Sequence, residues 1–96
     1  MALIKVQIPR FITGVENQTP CSVTVYVNNQ PAWYGYSGQI AVFEAECACQ
    51  VSFLIKDVNF AYPLPYFEDI VISGILEPEQ QYEIIKTSTA FDFVRK

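Results

Sequence analysis

The chain contains no histidine, and this absence narrows the chemistry that it can perform. Histidine is the commonest general base near neutral pH and the commonest metal ligand, so a serine or cysteine nucleophile here would lack its usual activating partner. The four glycines are isolated from one another, which excludes a glycine-rich phosphate loop. We therefore expect a protein that is not an enzyme and that holds no cofactor.

Charge is also scarce. Charged residues make up 17% of the chain, against roughly 25% in typical globular proteins. The net charge of -4 opposes binding to a polyanion, so we expect no nucleic-acid partner. No apolar stretch approaches the ~18 residues that cross a bilayer, and the apolar N-terminal segment is broken at Lys5 and Pro9. We therefore expect no membrane insertion, no signal peptide and a cytoplasmic location.

Hydrophobic residues are plentiful, at 51% of 96 residues, and this length predicts a single domain over residues 1–96. Apolar and polar residues alternate along much of the chain, most clearly from Cys21 to Val27, and no segment has a helical period. Turn-forming residues interrupt the alternation every ~8–12 residues. The pattern predicts an all-β fold, namely an antiparallel β-sandwich of seven or eight short strands.

The strand boundaries follow from turn residues and from the length of each alternating run. Asn28-Asn29-Gln30-Pro31 and Ser37-Gly38 are predicted turns. Residues 41–55 keep one parity throughout, which is too long for one ordinary strand, so we predict two strands joined near Glu46. Residues 56–67 contain two prolines and four aromatics and predict a long connection. The last strands, 82–86 and 91–94, are expected to form a hairpin.

One local motif is more specific than the general alternation. Leu76, Pro78 and Tyr82 have the spacing Leu-x-Pro-x-x-x-Tyr, which resembles the E–F corner of fibronectin type III and related immunoglobulin-like domains. In that family the leucine packs against the tyrosine, whose hydroxyl bonds back to upstream backbone. The resemblance covers residues 70–85, about a sixth of the chain. It implies an immunoglobulin-like or fibronectin type III-like sandwich with the final hairpin as strands F and G, and it transfers no site residue.

Aromatic residues provide the main candidate binding surface. Residues 17–43 contain no charged residue and include a dense aromatic cluster. Tyrosine and tryptophan bring large contact area at low entropic cost. We predict a non-enzymatic binding module whose partner is a protein, a second copy of the chain included, and carbohydrate binding by the same aromatics is the alternative. The candidate residues are Tyr26, Trp33, Tyr34, Tyr36, Tyr62 and Tyr66.

The absence of charge also indicates which strands lie in the centre of a sheet and which lie at its edge. Natural sheets usually guard their edges with lysine or other charges, and residues 21–27 have none. We therefore predict a central strand for residues 21–27. For residues 33–36 we predict a surface that a partner covers.

Three cysteines support a further alternative, a small metal or redox protein. Cys47 and Cys49 lie two apart on a predicted strand, which places their Cα atoms roughly 6.5–7 Å apart, a poor distance for a mutual disulfide. Cys21 could add a third thiolate, but without histidine the fourth ligand would be a carboxylate or water. The simpler interpretation is that Cys47 and Cys49 continue the apolar face of their strand as small buried side chains.

Overall fold

The computed structural model describes residues 2–9, 20–60, 66–86 and 91–96, without the side chains of residues 57, 59, 60, 66, 67 and 86. Regular structure in these ranges is entirely β, as predicted. The described part of the chain holds no helix with the length and apolarity that a membrane crossing demands. The strands are β1 (Leu3–Gln7), β2 (Ser22–Val27), β3 (Gln30–Tyr36), β4 (Ile40–Glu44), β5 (Cys49–Phe60), β6 (Tyr66–Leu76), β7 (Gln81–Lys86) and β8 (Phe91–Arg95).

The eight strands form two four-stranded sheets. The first sheet has the order β4-β1-β7-β8 and the second has the order β3-β2-β5-β6. The second sheet is antiparallel throughout, but in the first sheet β1 runs parallel to β7, with Val6 opposite Tyr82. The prediction of a wholly antiparallel fold is therefore wrong for this pair. The two-sheet arrangement fits a β-sandwich, because buried side chains of both sheets form one core.

The β2–β3 hairpin confirms the turn predicted after the second strand. Asn28 and Asn29 both have positive φ, of 50° and 68°, and Val27 pairs with Gln30 across them. Asparagine tolerates this left-handed backbone better than most residues, which is why a two-residue turn forms here. β2 then lies between β3 and β5, which confirms the predicted central strand, and β3 lies at the sheet edge.

The long alternating run from residue 41 also divides as predicted. β4 ends at Glu44, β5 begins at Cys49, and a bend at residues 46 and 47 joins them. The long connection predicted over residues 56–67 is wrong, because β5 continues to Phe60 and β6 begins at Tyr66. A β-bulge between Ile55 and Val58 shifts the pairing there. An extra residue in a strand breaks the alternation without ending the strand.

Phe53 is the central residue of the core. It is fully buried on β5, in the second sheet. Its ring makes edge-to-face contacts with Phe43 of β4, at 6.4 Å between ring centroids, and with Phe93 of β8, at 5.3 Å. Both partners belong to the first sheet. Edge-to-face pairs add to the free energy of simple area burial, so this trio joins the two sheets.

Candidate functional site

Two tyrosines of the edge strand β3 point away from the core. Tyr34 and Tyr36 are 64% and 45% exposed, and their rings meet edge to face with 6.0 Å between centroids. They stand opposite Thr24 and Ser22 of β2, whose neighbours in the chain are buried. We call the outward side chains of these two strands the tyrosine face, and it consists of Ser22, Thr24, Tyr26, Tyr34 and Tyr36.

Trp33 lies on the opposite side of β3 from these tyrosines. It is partly buried and packs against the core. Its ring covers Gly35, so closely that a Cβ at Gly35 would lie 2.7 Å from Cζ2 of the indole. The Gln39 side chain closes the same site and accepts a hydrogen bond from the backbone N–H of Tyr36 at 3.0 Å. The indole therefore supports the strand from within, and the tyrosines form its outer surface.

No residue of the tyrosine face is charged, and the charged residue of β5 nearest to it is Lys56, which follows Ile55, the partner of Val23. Across the sheet, Thr24 stands opposite Leu54 of β5, and Tyr26 stands opposite Ser52. The outer face of the first sheet is different, because it carries Lys5, Glu44, Glu83 and Asp92 at exposed or half-buried positions. The uncharged region of the second sheet is thus formed by β2 and β3, while Lys56 of β5 and Asp69 of β6 are exposed elsewhere in that sheet.

Of the other three candidate tyrosines, the structure places Tyr26 beside Tyr34 and Tyr36, and it does not do so for Tyr62 or Tyr66. Tyr26 is half-buried on β2 and stands opposite Pro31 and Ser52, so it belongs to the tyrosine face. Tyr66 begins β6, the far edge of the same sheet, and its side chain is not described. Tyr62 lies outside the described residues. The structure therefore brings Tyr26, Tyr34 and Tyr36 together.

The contact expected for the Leu-x-Pro-x-x-x-Tyr motif is present. Leu76 ends β6, Tyr82 lies at the start of β7, and both are buried in the core. The backbone N–H of Glu77 donates a hydrogen bond to the Tyr82 hydroxyl at 2.9 Å. Arg95 donates to the Glu77 carboxylate at 2.8 Å, and the Tyr82 hydroxyl followed by that carboxylate raises the pKa of the Arg95 guanidinium. This cluster fixes the crossing between the two sheets.

The cysteines do not form a common site. Cys21 precedes β2 and Cys49 begins β5 at the far end of that pair, so about eight residues of strand separate them, roughly 26 Å at ~3.3 Å per residue. Cys21 and Cys49 are buried, whereas Cys47 is exposed in the bend before β5. The expectation that Cys47 continues the buried face is therefore wrong, because the strand is interrupted there. The described residues contain no group of three metal-ligating side chains.

These positions predict one fast thiol. Cys47 should react with iodoacetamide at pH 8 within minutes, while Cys21 and Cys49 should react only as fast as the fold opens. Burial, and then the charge of Cys47, raise the pKa of the Cys49 thiol. Because the unfolded thiol ionises first as pH rises above ~8.5, this group should lower the free energy of unfolding in that range. Mass spectrometry of timed samples measures the labelling.

Two controls belong to this experiment. A Cys47→Ser chain should lose the fast phase, and denatured wild-type chain should label at all three cysteines. Fast labelling of two thiols in the folded wild type would contradict the assignment of both Cys21 and Cys49 as buried.

Comparison of the chain with known proteins finds no relative. No protein-family model, no curated protein and no solved structure matches this sequence or this fold.

Proposed function

We propose that the chain is a non-enzymatic binding module that docks a protein partner on the tyrosine face. The observation that carries the proposal is the pair Tyr34 and Tyr36, both exposed on an edge strand in an uncharged region. Tyrosine is enriched among the residues that dominate binding energy, because it contributes a large rigid surface and a hydroxyl for hydrogen bonding. In a chain of net charge -4, exposed rings on two neighbouring strands that contain no charged residue form a distinct surface.

The shape of the surface favours a protein over a small molecule. Small-molecule sites are concave and bury most of the ligand. The tyrosine face is the outer side of two neighbouring strands, and Tyr34 and Tyr36 project from it. A flat patch with projecting rings suits a partner that supplies its own pockets for them.

Carbohydrate binding is the second candidate, and the same rings support it. Sugar rings stack on flat aromatic faces, and an exposed tyrosine offers one such face. The planes of Tyr34 and Tyr36 stand at 70° to each other, however, so the two rings do not make a shared platform for consecutive sugars. This angle is the reason for placing a protein partner first.

We also propose that the fold is immunoglobulin-like or fibronectin type III-like, with β7 and β8 as strands F and G. The support is the hydrogen bond between the Glu77 N–H and the Tyr82 hydroxyl at the predicted corner. The four-plus-four division of the strands and the parallel β1–β7 pair differ from the seven-strand constant-type arrangement. The proposed similarity therefore concerns the two-sheet architecture and the tyrosine corner. It assigns no binding residue to this chain.

The binding proposal is tested with a Tyr34→Ser, Tyr36→Ser double variant. Both side chains are exposed, so the fold should be retained. A partner is first captured by the wild-type chain and purified, and its affinity is then measured by calorimetry. The double variant should bind at least ~30-fold more weakly, the effect of losing one hot-spot residue.

The matched control is an Ile40→Ser, Val42→Ser variant, which removes two exposed apolar side chains from the outer face of the other sheet. It should bind like the wild type. Equal binding by the wild type and the tyrosine variant would contradict the proposal. If soluble oligosaccharides change the tyrosine fluorescence of the wild type and leave that of the double variant unchanged, the carbohydrate function replaces the protein one.

A further inference from the structure

The second sheet has a long edge strand that no charged residue guards in its C-terminal half. β6 spans eleven residues and pairs with β5 on one side, and no described strand pairs with its other side. The residues from Ile70 to Leu76 carry no charge. Exposed edges of this kind are templates for pairing with another strand, and natural proteins usually block them. We call these seven residues the β6 edge.

The other three edge strands do carry such blocks. β3 contains Pro31 next to a shift in its pairing register, and proline cannot donate a backbone hydrogen bond. β4 ends in Glu44, and β8 contains Asp92 and Arg95. β6 has charges of its own, Glu68 and Asp69, only in its N-terminal half, so the β6 edge is the longest stretch of a described edge strand that contains neither a charge nor a proline.

We infer that the β6 edge pairs antiparallel with the same edge of a second copy, about a two-fold axis at Ser73. This register places Val71 of each copy opposite Ile75 of the other. These side chains are 62% and 63% exposed, and directly opposite residues in such a pair have Cβ atoms ~4.5–5.5 Å apart. On the inner face, Ile72 stands opposite Gly74, which has no side chain to obstruct it. The edge is thus complementary to itself, as a two-fold interface requires.

Charge supports a second copy as the occupant. Each copy has a net charge of -4, so repulsion between two copies is smallest where carboxylates are absent or neutralised. The β6 edge has none. At its ends, the register brings Asp69 opposite Glu77 of the other copy, and the Arg95 guanidinium is already bonded to that carboxylate at 2.8 Å. This ion pair offsets part of the repulsion between the two carboxylates.

The contact between the two β6 edges is small, and its size determines how tightly the two copies should bind. A seven-residue strand pair with four apolar side chains buries less than the ~1,200–2,000 Å² of a standard interface. We therefore expect a weak dimer that forms at high protein concentration. The inference is independent of the binding function proposed above, because the tyrosine face lies on β2 and β3 and the β6 edge lies across the sheet.

The first experiment is sedimentation velocity on the full chain from about 5 µM to about 1 mM, a range that brackets a weak dimer. The apparent mass should rise from 10.9 kDa towards twice that value. Val71→Lys places a charge in the pairing strand and should raise the dissociation constant at least ~tenfold. Ile40→Lys puts the same charge at an exposed position of β4, an edge strand of the other sheet, and should leave the dissociation constant unchanged. Thermal melts check that both variants fold.

The second experiment tests the register. Both variants are made in a Cys47→Ser background. Ser73→Cys places the thiol at residue 73 of one copy opposite residue 73 of the other, close enough to form a disulfide. Val71→Cys places the two thiols four residues apart along the strands, which is roughly 13 Å. Mild oxidation should cross-link Ser73→Cys at least ~tenfold faster than Val71→Cys. The inference is overturned by a strict monomer at the highest concentration, by growth beyond a dimer, by a dimer that Val71→Lys leaves intact, or by equal cross-linking rates at the two positions.

Discussion

Replacing Phe53 by alanine should lower the free energy of unfolding by about 3–5 kcal/mol. Phe53 is fully buried and contacts Phe43 and Phe93 of the opposite sheet edge to face. Alanine would remove the ring and leave a cavity at the point where the two sheets meet. Domains of this size have a total stability of ~5–15 kcal/mol, so the substitution should remove a large share of it. Urea denaturation followed by circular dichroism measures the change.

Leu54→Ala is the matched control, because Leu54 is the next residue of β5 and points to the other face of the sheet. It is half-buried and stands opposite Thr24 and Val71. Its truncation should cost about 1 kcal/mol or less, since little cavity forms at a surface position. A loss of similar size for the two variants would mean that Phe53 does not join the sheets, and that the core lies elsewhere.

Where one face of a strand is buried and the other is solvated, the sequence predicts the fold well. β2 is the clearest case, since Val23 and Val25 alternate with Ser22 and Thr24, and the valines are fully buried. The turn at Asn28 and Asn29 was predictable for a different reason, because few residues accept positive φ. Period and turn chemistry are local properties, so they can be read without knowing what a strand pairs with.

Pairing between strands is not a local property, and the sequence does not predict it here. Nothing in residues 3–7 or 81–86 indicates that β1 and β7 run side by side in the same direction. The bulge between Ile55 and Val58 has the same cause. It shifts the alternation by one residue, and a shifted alternation near two prolines is indistinguishable from a loop in the sequence alone. Both features depend on contacts between segments far apart in the chain.

The candidate site was predictable in part. Tyr34 and Tyr36 are exposed as expected, and alternation alone could have separated them from Trp33, because neighbouring residues of a strand point to opposite faces. The exposed side chains of Val71 and Ile75 had a weaker signal, namely apolar residues on both faces of one strand. Such a pattern also describes a strand buried on both sides, so only the strand order identifies β6 as an edge.

Gly35→Ala should lower the free energy of unfolding by about 1–3 kcal/mol, because the added methyl group has no space at this position. The new Cβ would lie 2.7 Å from Cζ2 of Trp33 and would also overlap the side-chain oxygen of Gln39. That oxygen holds the backbone N–H of Tyr36. Relief of the overlap must therefore move the indole, the glutamine or both. Urea denaturation gives the loss, and Trp33 emission should shift to longer wavelength as the ring leaves the core.

The comparison with Gly74→Ala separates crowding from a general effect of replacing glycine. At Gly74 a Cβ would lie 3.2 Å from Cδ2 of Phe93, so the partly buried ring has to move by only a few tenths of an ångström. Alanine also reduces the entropy of the unfolded chain, which is worth ~0.4–1 kcal/mol, so we expect a net change close to zero. Because Gln39 also fixes Tyr36, Gly35→Ala should weaken partner binding at the tyrosine face, and Gly74→Ala should not. Equal effects of the two variants on both stability and binding would show that the Trp33–Gly35 contact does not hold the tyrosines outward.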